Sequence, residues 1–332
     1  MYLVTGGLGF IGLNFVELCL KKKQKVVIVD SMTYAANKNV NYLLKKGVII
    51  CNKEIGTNLL PILKRYKITT IINFAAETHV DNSIKDSKKF IDTNINQLVK
   101  LFNITKKYLD KLNSRDKKKF RFIQISTDEV FGSLDKKDPE FKETNKYFPN
   151  NPYSATKAAG DLLARVWFKT YDLPIITTNC SNNYGKYQNK EKLIPKVIIN
   201  SIKRKNIPVY GNGKNTREWI HVEDHCNAIL ILIKKGKIGE SYNIGSSSEV
   251  ENINLIKMIC KILDKEMPRK DRQSYMTQIS YVKDRKAHDL RYSINSSKIK
   301  RATNWKAKIK FKDGLKNTIK HYIAVNRNEF RN

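Results

Sequence analysis

Acidic residues are scarce in this 332-residue chain: 31 Asp and Glu stand against 63 Lys and Arg, a formal charge of +32. Proline (8) and glycine (15) are too few for a collagen-like or low-complexity chain, and 41% hydrophobic residues exclude a disordered one. No stretch approaches the roughly 20 uncharged apolar residues of a membrane helix. The first residues, Met1-Tyr2-Leu3-Val4-Thr5, run straight into glycines, so neither a membrane partner nor a secretory leader is expected. The five cysteines, at 19, 51, 180, 226 and 260, are odd in number and widely spaced. That excludes a disulfide framework and a cysteine zinc site, and it fits a cytoplasmic location.

The basic excess has two readings. One is a nucleic-acid binder. The other is compositional: 50 of the 63 basic residues are Lys, spread along the whole chain. Sequence-specific DNA readers lean on Arg forks, and no basic tail or aromatic-interleaved patch is present. No specific nucleic-acid partner is expected, although the field of such a surface favours anionic ligands.

What the chain does have is alternation. Apolar, β-branched runs at Tyr2–Thr5, Lys25–Asp30, Gly47–Cys51, Thr70–Ala75 and Phe120–Ser126 are separated by amphipathic stretches at Phe10–Lys22, Asn58–Tyr66 and Ser87–Leu112. A helix from Pro152 to Tyr171 and a strand at Pro174–Cys180 follow. This spacing predicts an α/β fold with a doubly wound parallel sheet. Beyond it the pattern is less regular, with helical stretches at Asn254–Leu263 and Asp313–Ile323. The expected units are a nucleotide-binding domain over 1–180, completed by later segments, and a smaller α/β substrate-binding part over 181–332.

Gly7-Leu8-Gly9-Phe10-Ile11-Gly12 matches G-x-G-x-x-G between a strand and a helix, and Gly6, Gly9 and Gly12 also fit G-x-x-G-x-x-G. Such glycines permit a tight turn and close backbone approach to a pyrophosphate at the helix N-terminus. A purely structural glycine turn is the alternative. Asp30 ends the second strand 18 residues past Gly12, where a carboxylate binds ribose hydroxyls and repels a ribose phosphate. No Arg follows it, so the expected cofactor is NAD.

Tyr153 and Lys157 lie four apart at the start of a helix, on one face. A nearby ammonium is expected to lower the Tyr pKa, so that the phenolate can take a proton from an alcohol while hydride leaves the same carbon. The fifth strand ends in Ser126-Thr127-Asp128-Glu129, at the edge where ligands sit in such folds. Thr127 is placed to hydrogen-bond a reacting hydroxyl. The adjacent carboxylates read either as a helix cap or as an acid and a base with separated pKa values. His221 and His225 are also four apart, but their order is not H-E-x-x-H and no metal is expected.

Together these motifs resemble the extended short-chain dehydrogenase/reductases. Longer strings narrow the likeness: Ser31–Ala35, Asn73–Asp81, Ser126–Gly132, Pro152–Lys157, Cys180–Gly185, Glu191–Pro195, Pro208–Gly211, Tyr242–Gly245, Asp284-Arg285 and His288–Tyr292 are similar to the dTDP-glucose 4,6-dehydratase family, in order along the chain. The resemblance implies a Rossmann-type lyase that makes a 4-keto-6-deoxy sugar nucleotide and water. In it Tyr153, helped by Lys157 and Thr127, takes the 4-hydroxyl proton, Glu129 takes the carbon-5 proton, and Asp128 protonates the departing 6-hydroxyl. It implies cofactor contacts for Gly6, Gly9, Phe10, Ile11, Gly12, Asp30, Ser31, Met32, Thr33, Glu54, Ile55, Phe74, Ala75, Ala76, Glu77, Thr78, Thr93, Tyr153, Lys157 and Asn182. For the substrate it implies Thr78, Thr127, Asp128, Glu129, Asn183, Lys192, Leu193, Pro208, Val209, Tyr210, Arg217, Asn252, Asp284, Arg285, His288 and Tyr292. Arg217 and Arg285 have the chemistry to fork onto a diphosphate. The family also implies a homodimer through Ser87–Leu112 and Pro152–Tyr171.

One departure from the family pattern is mild, Glu54-Ile55 near the adenine; the others fall in substrate loops, at Lys186, Asn189-Lys190 and Lys286-Ala287. They leave UDP-glucose open beside dTDP-glucose. Two rivals remain, a sugar-nucleotide 4-epimerase and a non-catalytic NAD- or nucleic-acid-binding regulator. The Asp128–Glu129 pair counts against the first, and the intact set of Thr127, Asp128, Glu129, Tyr153 and Lys157 against the second.

Overall fold

Buried β-branched runs dictate the centre of the molecule. In the computed structural model, which describes residues 1–326, β1 (Tyr2–Thr5), β2 (Val26–Asp30), β3 (Ile49–Asn52), β4 (Thr70–Asn73), β5 (Arg121–Thr127) and β6 (Ile175–Cys180) pair in parallel. After β7 (Asn182–Tyr184), β8 (Ile207–Tyr210) and β9 (Thr216–His221), the strand β10 (Ser241–Ile244) returns to lie beside β6. The seven-stranded order is β10-β6-β5-β4-β1-β2-β3. It reverses direction between β1 and β4, which opens a crevice at the carboxyl ends of the strands.

Successive side chains of a strand point to opposite faces, and the two faces here bury two separate cores. Val4, Val26 and Ile28 pack with Phe15, Val16 and Ile229 on one side. Leu3, Val27 and Val29 pack with Leu101, Phe102 and Phe122 on the other. Both faces are covered by helices, so the strands read as continuous apolar runs.

The helix Pro152–Tyr171 occupies the expected span. Pro152 stands at its first turn, and Asn151 and Ser154 form a reciprocal capping box. The stretch expected as one helix over 87–112 is broken into Lys88–Ile91, a π-helical turn Asp92–Asn96, and Gln97–Leu109. The break has a tertiary cause: Asn94 turns inward, donating to the Glu77 carbonyl and to Thr156 Oγ1 at 3.0 Å each, and accepting from the Glu77 N–H.

A third core lies in the C-terminal half. It joins helix Leu193–Ile202, helix Asn252–Glu266 and helix Phe311–Val325 through Ile198, Ile259 and Ile319. Two small sheets frame it. In one, β9 pairs with β7 in parallel and with β11 (Glu249–Glu251) antiparallel. In the other, β8 pairs with β12 (Ile279–Val282). The two halves interleave, because β10 and the helix Val222–Lys235 lie with the nucleotide-binding layer although they come after residue 181.

Candidate active site

The glycine turn works in the G-x-x-G-x-x-G register. Gly6 has φ +62°, and a Cβ there would stand 2.7 Å from the Ala75 nitrogen; a Cβ on Gly12 would stand 2.2 Å from the Gly6 carbonyl oxygen. Nothing larger than glycine fits at positions 6 and 12, where β1 passes into the first helix. Gly9 caps that helix without a side-chain bond, which leaves its first N–H groups free for an anion. Asp30 is buried at the end of β2 and ties the turn together: Oδ2 accepts from the Leu8 N–H at 2.9 Å and Oδ1 from the Met32 N–H at 2.8 Å. Each oxygen keeps one lone pair for a ribose hydroxyl.

Three cavities join into a trough along the crevice. The first, about 140 Å³, is lined by Gly6, Gly9, Asp30, Ser31, Thr33, Glu54, Ile55, Phe74, Ala75, Ala76, Glu77 and Thr93 among others. The second, about 260 Å³, runs from Gly6, Gly9, Phe10, Ile11 and Gly12 to Thr127, Asp128, Glu129, Tyr153, Lys157 and Asn182. The third, about 290 Å³, shares Thr78, Glu129, Asn182, Asn183 and Lys192 with the second and adds Leu193, Pro208, Tyr210, Arg217, Asn252, Arg285, His288 and Tyr292. The residues expected to hold a dinucleotide and those expected to hold a sugar nucleotide thus meet at one place, the end of β5.

Three expected residues sit elsewhere. Met32 has φ +51° and is more than one-third exposed, so only its N–H serves the site. Val209 is buried in the C-terminal core, because alternation along β8 turns Pro208 and Tyr210 toward the cavity and Val209 away. Asp284 stands behind the cavity wall and orients His288, whose Nδ1 lies 2.7 Å from its Oδ1.

At the end of β5 the chain leaves the extended conformation and makes a one-turn 3-10 helix over Asp128–Phe131. Neighbours on a strand point to opposite faces, and this turn is what lets Asp128 and Glu129 reach one cavity. Asn179 Nδ2 holds the Thr127 carbonyl at 3.2 Å. Thr127 Oγ1 accepts from the Glu129 N–H at 3.3 Å and donates to Asp128 Oδ1 at 3.2 Å. Asp128 Oδ2 is buried with no partner.

The two carboxylates differ. Burial pushes Asp128 well above the ordinary range, and the neighbouring Glu129 and Glu218 push it further. Burial also raises Glu129, but Arg217 and Lys192 oppose it. Asp128 is therefore the carboxyl pushed further toward the neutral form, and Glu129 the one whose rise is opposed by cations. Arg217 is buried, with Nη2 on the Asp289 carbonyl at 2.9 Å and its guanidinium 4.2 Å from the centre of the Tyr292 ring. Arg285 is not open for a diphosphate in this state: its Nη2 donates to Asp81 Oδ2 at 3.0 Å and its Nε lies 2.5 Å from Oδ1.

One expectation is overturned. The Tyr153 phenol is pushed up, not down, first by burial and then by Glu129, with Cys180 and Asp128 adding to it. Lys157 cannot offset this, since burial lowers its own pKa and its Nζ donates to the Ile125 carbonyl at 2.7 Å. The histidine pair is structural. His221 Nδ1 accepts from the Glu223 N–H at the start of helix Val222–Lys235, and His225, pushed down to about 3 by burial, lies 2.9 Å from Asn183 Oδ1.

The geometry can now be set beside known proteins. A family profile described as GDP-mannose 4,6 dehydratase matches residues 3–318. The chain belongs to this family. It is similar to the dTDP-glucose 4,6-dehydratase of Xanthomonas campestris pv. campestris strain B100, 43% identical over 97% of this chain and 93% of the relative. Among solved structures it is similar to the dTDP-glucose 4,6-dehydratase DesIV of Streptomyces venezuelae with NAD and TYD bound. There the TM-score is 0.87, with 35% identity over 99% of this chain and 98% of the other. The dTDP-glucose 4,6-dehydratase of Bacillus anthracis strain Ames in complex with NAD gives 0.85 and 38%, over 98% and 97%.

Within this dehydratase framework two acidic residues escaped the sequence reading. Asp161, one helical turn past Lys157, is buried; its Oδ2 accepts from Ser126 Oγ at 2.6 Å and Asn179 Nδ2 at 3.1 Å, while Oδ1 has no partner. Burial lifts it to about 6 against the pull of Lys157. The i, i+4 spacing from Lys157 was the available signal. Asp289 lines the third cavity, accepts from Asn150 Nδ2 at 2.6 Å and from the Tyr292 hydroxyl, and adds to the rise of Glu129. No local pattern marks it.

Proposed function

We propose that the chain is an NAD-dependent lyase that converts dTDP-glucose to dTDP-4-keto-6-deoxyglucose and water. The observation that carries this reading is the Thr127-Asp128-Glu129 turn facing the same cavity as Tyr153 and Lys157. The cradle fits the dinucleotide: Gly6 and Gly9 line the first two cavities without a side chain, and the Asp30 carboxylate closes the ribose end. NAD, when bound, supplies the hydride acceptor for carbon 4 of the sugar and the donor for carbon 6.

The residues of the chain do the proton work. Tyr153 takes the 4-hydroxyl proton, with Thr127 holding that hydroxyl and Lys157 lining the same cavity beside it. The new ketone acidifies carbon 5, and Glu129, balanced by Arg217 and Lys192, takes its proton. Asp128, kept neutral by burial and by its acidic neighbours, protonates the 6-hydroxyl from Oδ2. Arg217 is held by the Thr216 and Asp289 carbonyls, makes no carboxylate ion pair among the described residues and lines the substrate cavity, where it is the cation available to the diphosphate. Arg285 joins it by leaving Asp81. A 4-epimerase needs no acid and base beyond the tyrosine, and the buried Asp128–Glu129 pair separates the two activities.

The test is incubation with dTDP-glucose and, separately, UDP-glucose, reading the alkaline ultraviolet absorbance of the 4-keto sugar. The reading predicts absorbance with dTDP-glucose. Absorbance with neither substrate would refute it; absorbance with UDP-glucose alone would move the base preference.

We further propose that the chain works as a homodimer in the cytoplasm, with residues 1–180 chiefly holding the cofactor and 181–332 the substrate. Ile84, Ile91, Leu162 and Val166 are exposed on helices Val80–Lys85, Lys88–Ile91 and Pro152–Tyr171, an apolar face that a second copy would cover. All five cysteines are free thiols, and no helix among the described residues is long and apolar enough to cross a membrane.

A further inference from the structure

The loop between β7 and helix Leu193–Ile202 borders the trough where the cofactor and substrate cavities meet. Its inner side is part of the wall. Gln188, Asn189, Glu191 and Lys192 line the second cavity, and Gln188, Glu191 and Lys192 also line the third. Residues 185–192 form neither helix nor strand, so no ladder of their own holds them in place. Tyr187 stands at φ +69°, a left-handed backbone that a bulky residue keeps only where its surroundings impose it. The groups that impose it line none of the three cavities of the trough.

Glu17 gathers them. It sits on the first helix, Phe10–Lys21, whose N-terminal residues line the second cavity. Its Oε1 accepts from the Tyr42 and Tyr187 hydroxyls at 2.9 Å each, and its Oε2 accepts from the Lys186 ammonium. That ammonium also lies 5.0 Å from the centre of the Tyr187 ring. Asn14, three residues earlier on the same helix face, donates to the Lys186 carbonyl at 3.0 Å. From the other flank the Tyr322 hydroxyl donates to the Gln188 carbonyl at 2.6 Å. Burial alone would raise the Glu17 carboxyl, yet it lies below its ordinary range, because Lys186, Tyr187 and Tyr42 all favour its charged form. Lys186 is one of the departures from the family pattern, so its ion pair with Glu17 is no part of that pattern.

We propose that Glu17 is a positioning residue for substrate binding: by holding Lys186 and Tyr187 it fixes the loop so that Gln188 and Lys192 face the sugar nucleotide, and it thereby registers the substrate wall on the cofactor helix. This rests on the dehydratase reading above. Glu17 acts only through the loop. A loop released from it spends part of its time in other conformations, and the apparent affinity for substrate falls by the fraction left in the competent one. Substrate, once bound, holds the loop in its place. The loss therefore falls on binding and not on the chemical steps.

The test measures KM and kcat for dTDP-glucose, the Kd of dTDP by calorimetry, and bound NAD. It compares the unaltered enzyme with Glu17→Ala, Glu17→Gln, Lys186→Met and the double variant Glu17→Ala/Lys186→Met, all well below their melting temperatures. Glu17→Ala should raise both KM and the dTDP Kd about tenfold, with kcat within about threefold and NAD content unchanged. Glu17→Gln keeps an acceptor for the two tyrosines and should fall between Glu17→Ala and the unaltered enzyme. Lys186→Met alone should raise KM, and it should add nothing to Glu17→Ala, because both break the same contact. If Glu17→Ala does not fold, Lys186→Met and Tyr187→Phe each remove one donor and should raise KM at least about threefold. A rise in KM and dTDP Kd below about threefold, whatever the change in melting temperature, overturns the proposal and leaves the cluster as a structural one. A fall in kcat at unchanged KM overturns it as well, as does full additivity of Glu17→Ala and Lys186→Met. An unaltered enzyme that binds no dTDP and makes no 4-keto product breaks the dehydratase reading instead, and this is seen before any variant is compared.

Discussion

The two ends of the trough recognise their ligands by different means. At the cofactor end the main chain does most of the work: glycines make room, a helix N-terminus offers N–H groups, and the Asp30 carboxylate is already held by the N–H groups of Leu8 and Met32. At the substrate end the wall is made of charged side chains, and several are paired with each other: Arg285 with Asp81, His288 with Asp284, and His79 with Glu191 at 3.7 Å. A backbone site is rigid and fails sharply when altered. A side-chain site must exchange internal partners for the ligand, so single losses there are graded.

The sharpest break is Gly12→Ala. Its Cβ would stand 2.2 Å from the Gly6 carbonyl oxygen, a backbone atom that cannot move aside. The purified variant should carry no NAD and have no measurable activity, by cofactor extraction and assay. A Gly12→Ala enzyme that keeps its NAD would show that the turn is more pliable than this account holds.

Next is Asp161→Asn, at the seam of the two ends. Asp161 sits at about 6 in the folded protein, raised by burial from 3.8. A raised carboxyl pKa stabilises the fold below the unfolded value, and that stabilisation is lost as pH rises through the folded value. The unaltered protein should therefore lose on the order of 3 kcal/mol relative to Asp161→Asn between about pH 4 and 6. Denaturation midpoints across that window read it; a constant difference would contradict it.

Arg217→Ala sharpens the comparison from the other end. It should raise KM for the sugar nucleotide by roughly 10- to 100-fold, the loss of a charge-assisted contact of about 1.5–3 kcal/mol, with NAD content unchanged. The smallest effect is expected from Val209→Ala. It faces the C-terminal core, so stability should fall by about 1–3 kcal/mol while KM stays the same. A raised KM would return Val209 to the substrate wall.

The same contrast explains what the sequence disclosed. The strands Tyr2–Thr5 and Ile175–Cys180 and the helix Pro152–Tyr171 were legible because buried parallel strands are apolar runs and that helix carries its own cap. The six short strands of the C-terminal half among the described residues, β7 to β12, were not. β9 contains Arg217 and Glu218, both buried, and Glu218 accepts from the distant N–H groups of Ser246, Ser247 and Ile294. No local pattern reports a partner about 30 or 76 residues away. The π-helical turn at Asp92–Asn96 escaped for the same reason, since its cause is the reach of Asn94 to Glu77 and Thr156. The candidate site residues were readable from residue type and spacing, which chemistry restricts, and the structure lines one trough with most of them. The rise of the Tyr153 pKa was missed because spacing shows the lysine but not the burial around it.

The central claim is that Asp128 and Glu129 divide the elimination between them as acid and base. The most direct measurement is a single turnover of Asp128→Asn with dTDP-glucose, followed at the NADH absorbance band. Asn keeps the shape of the group but has no acid proton to give, so oxidation at carbon 4 should proceed while water loss stalls. The account predicts a build-up of NADH that decays slowly, absent from the unaltered enzyme. Turnover of Asp128→Asn at the unaltered rate with no NADH build-up would contradict the account and leave Glu129 or a bound water to carry the elimination.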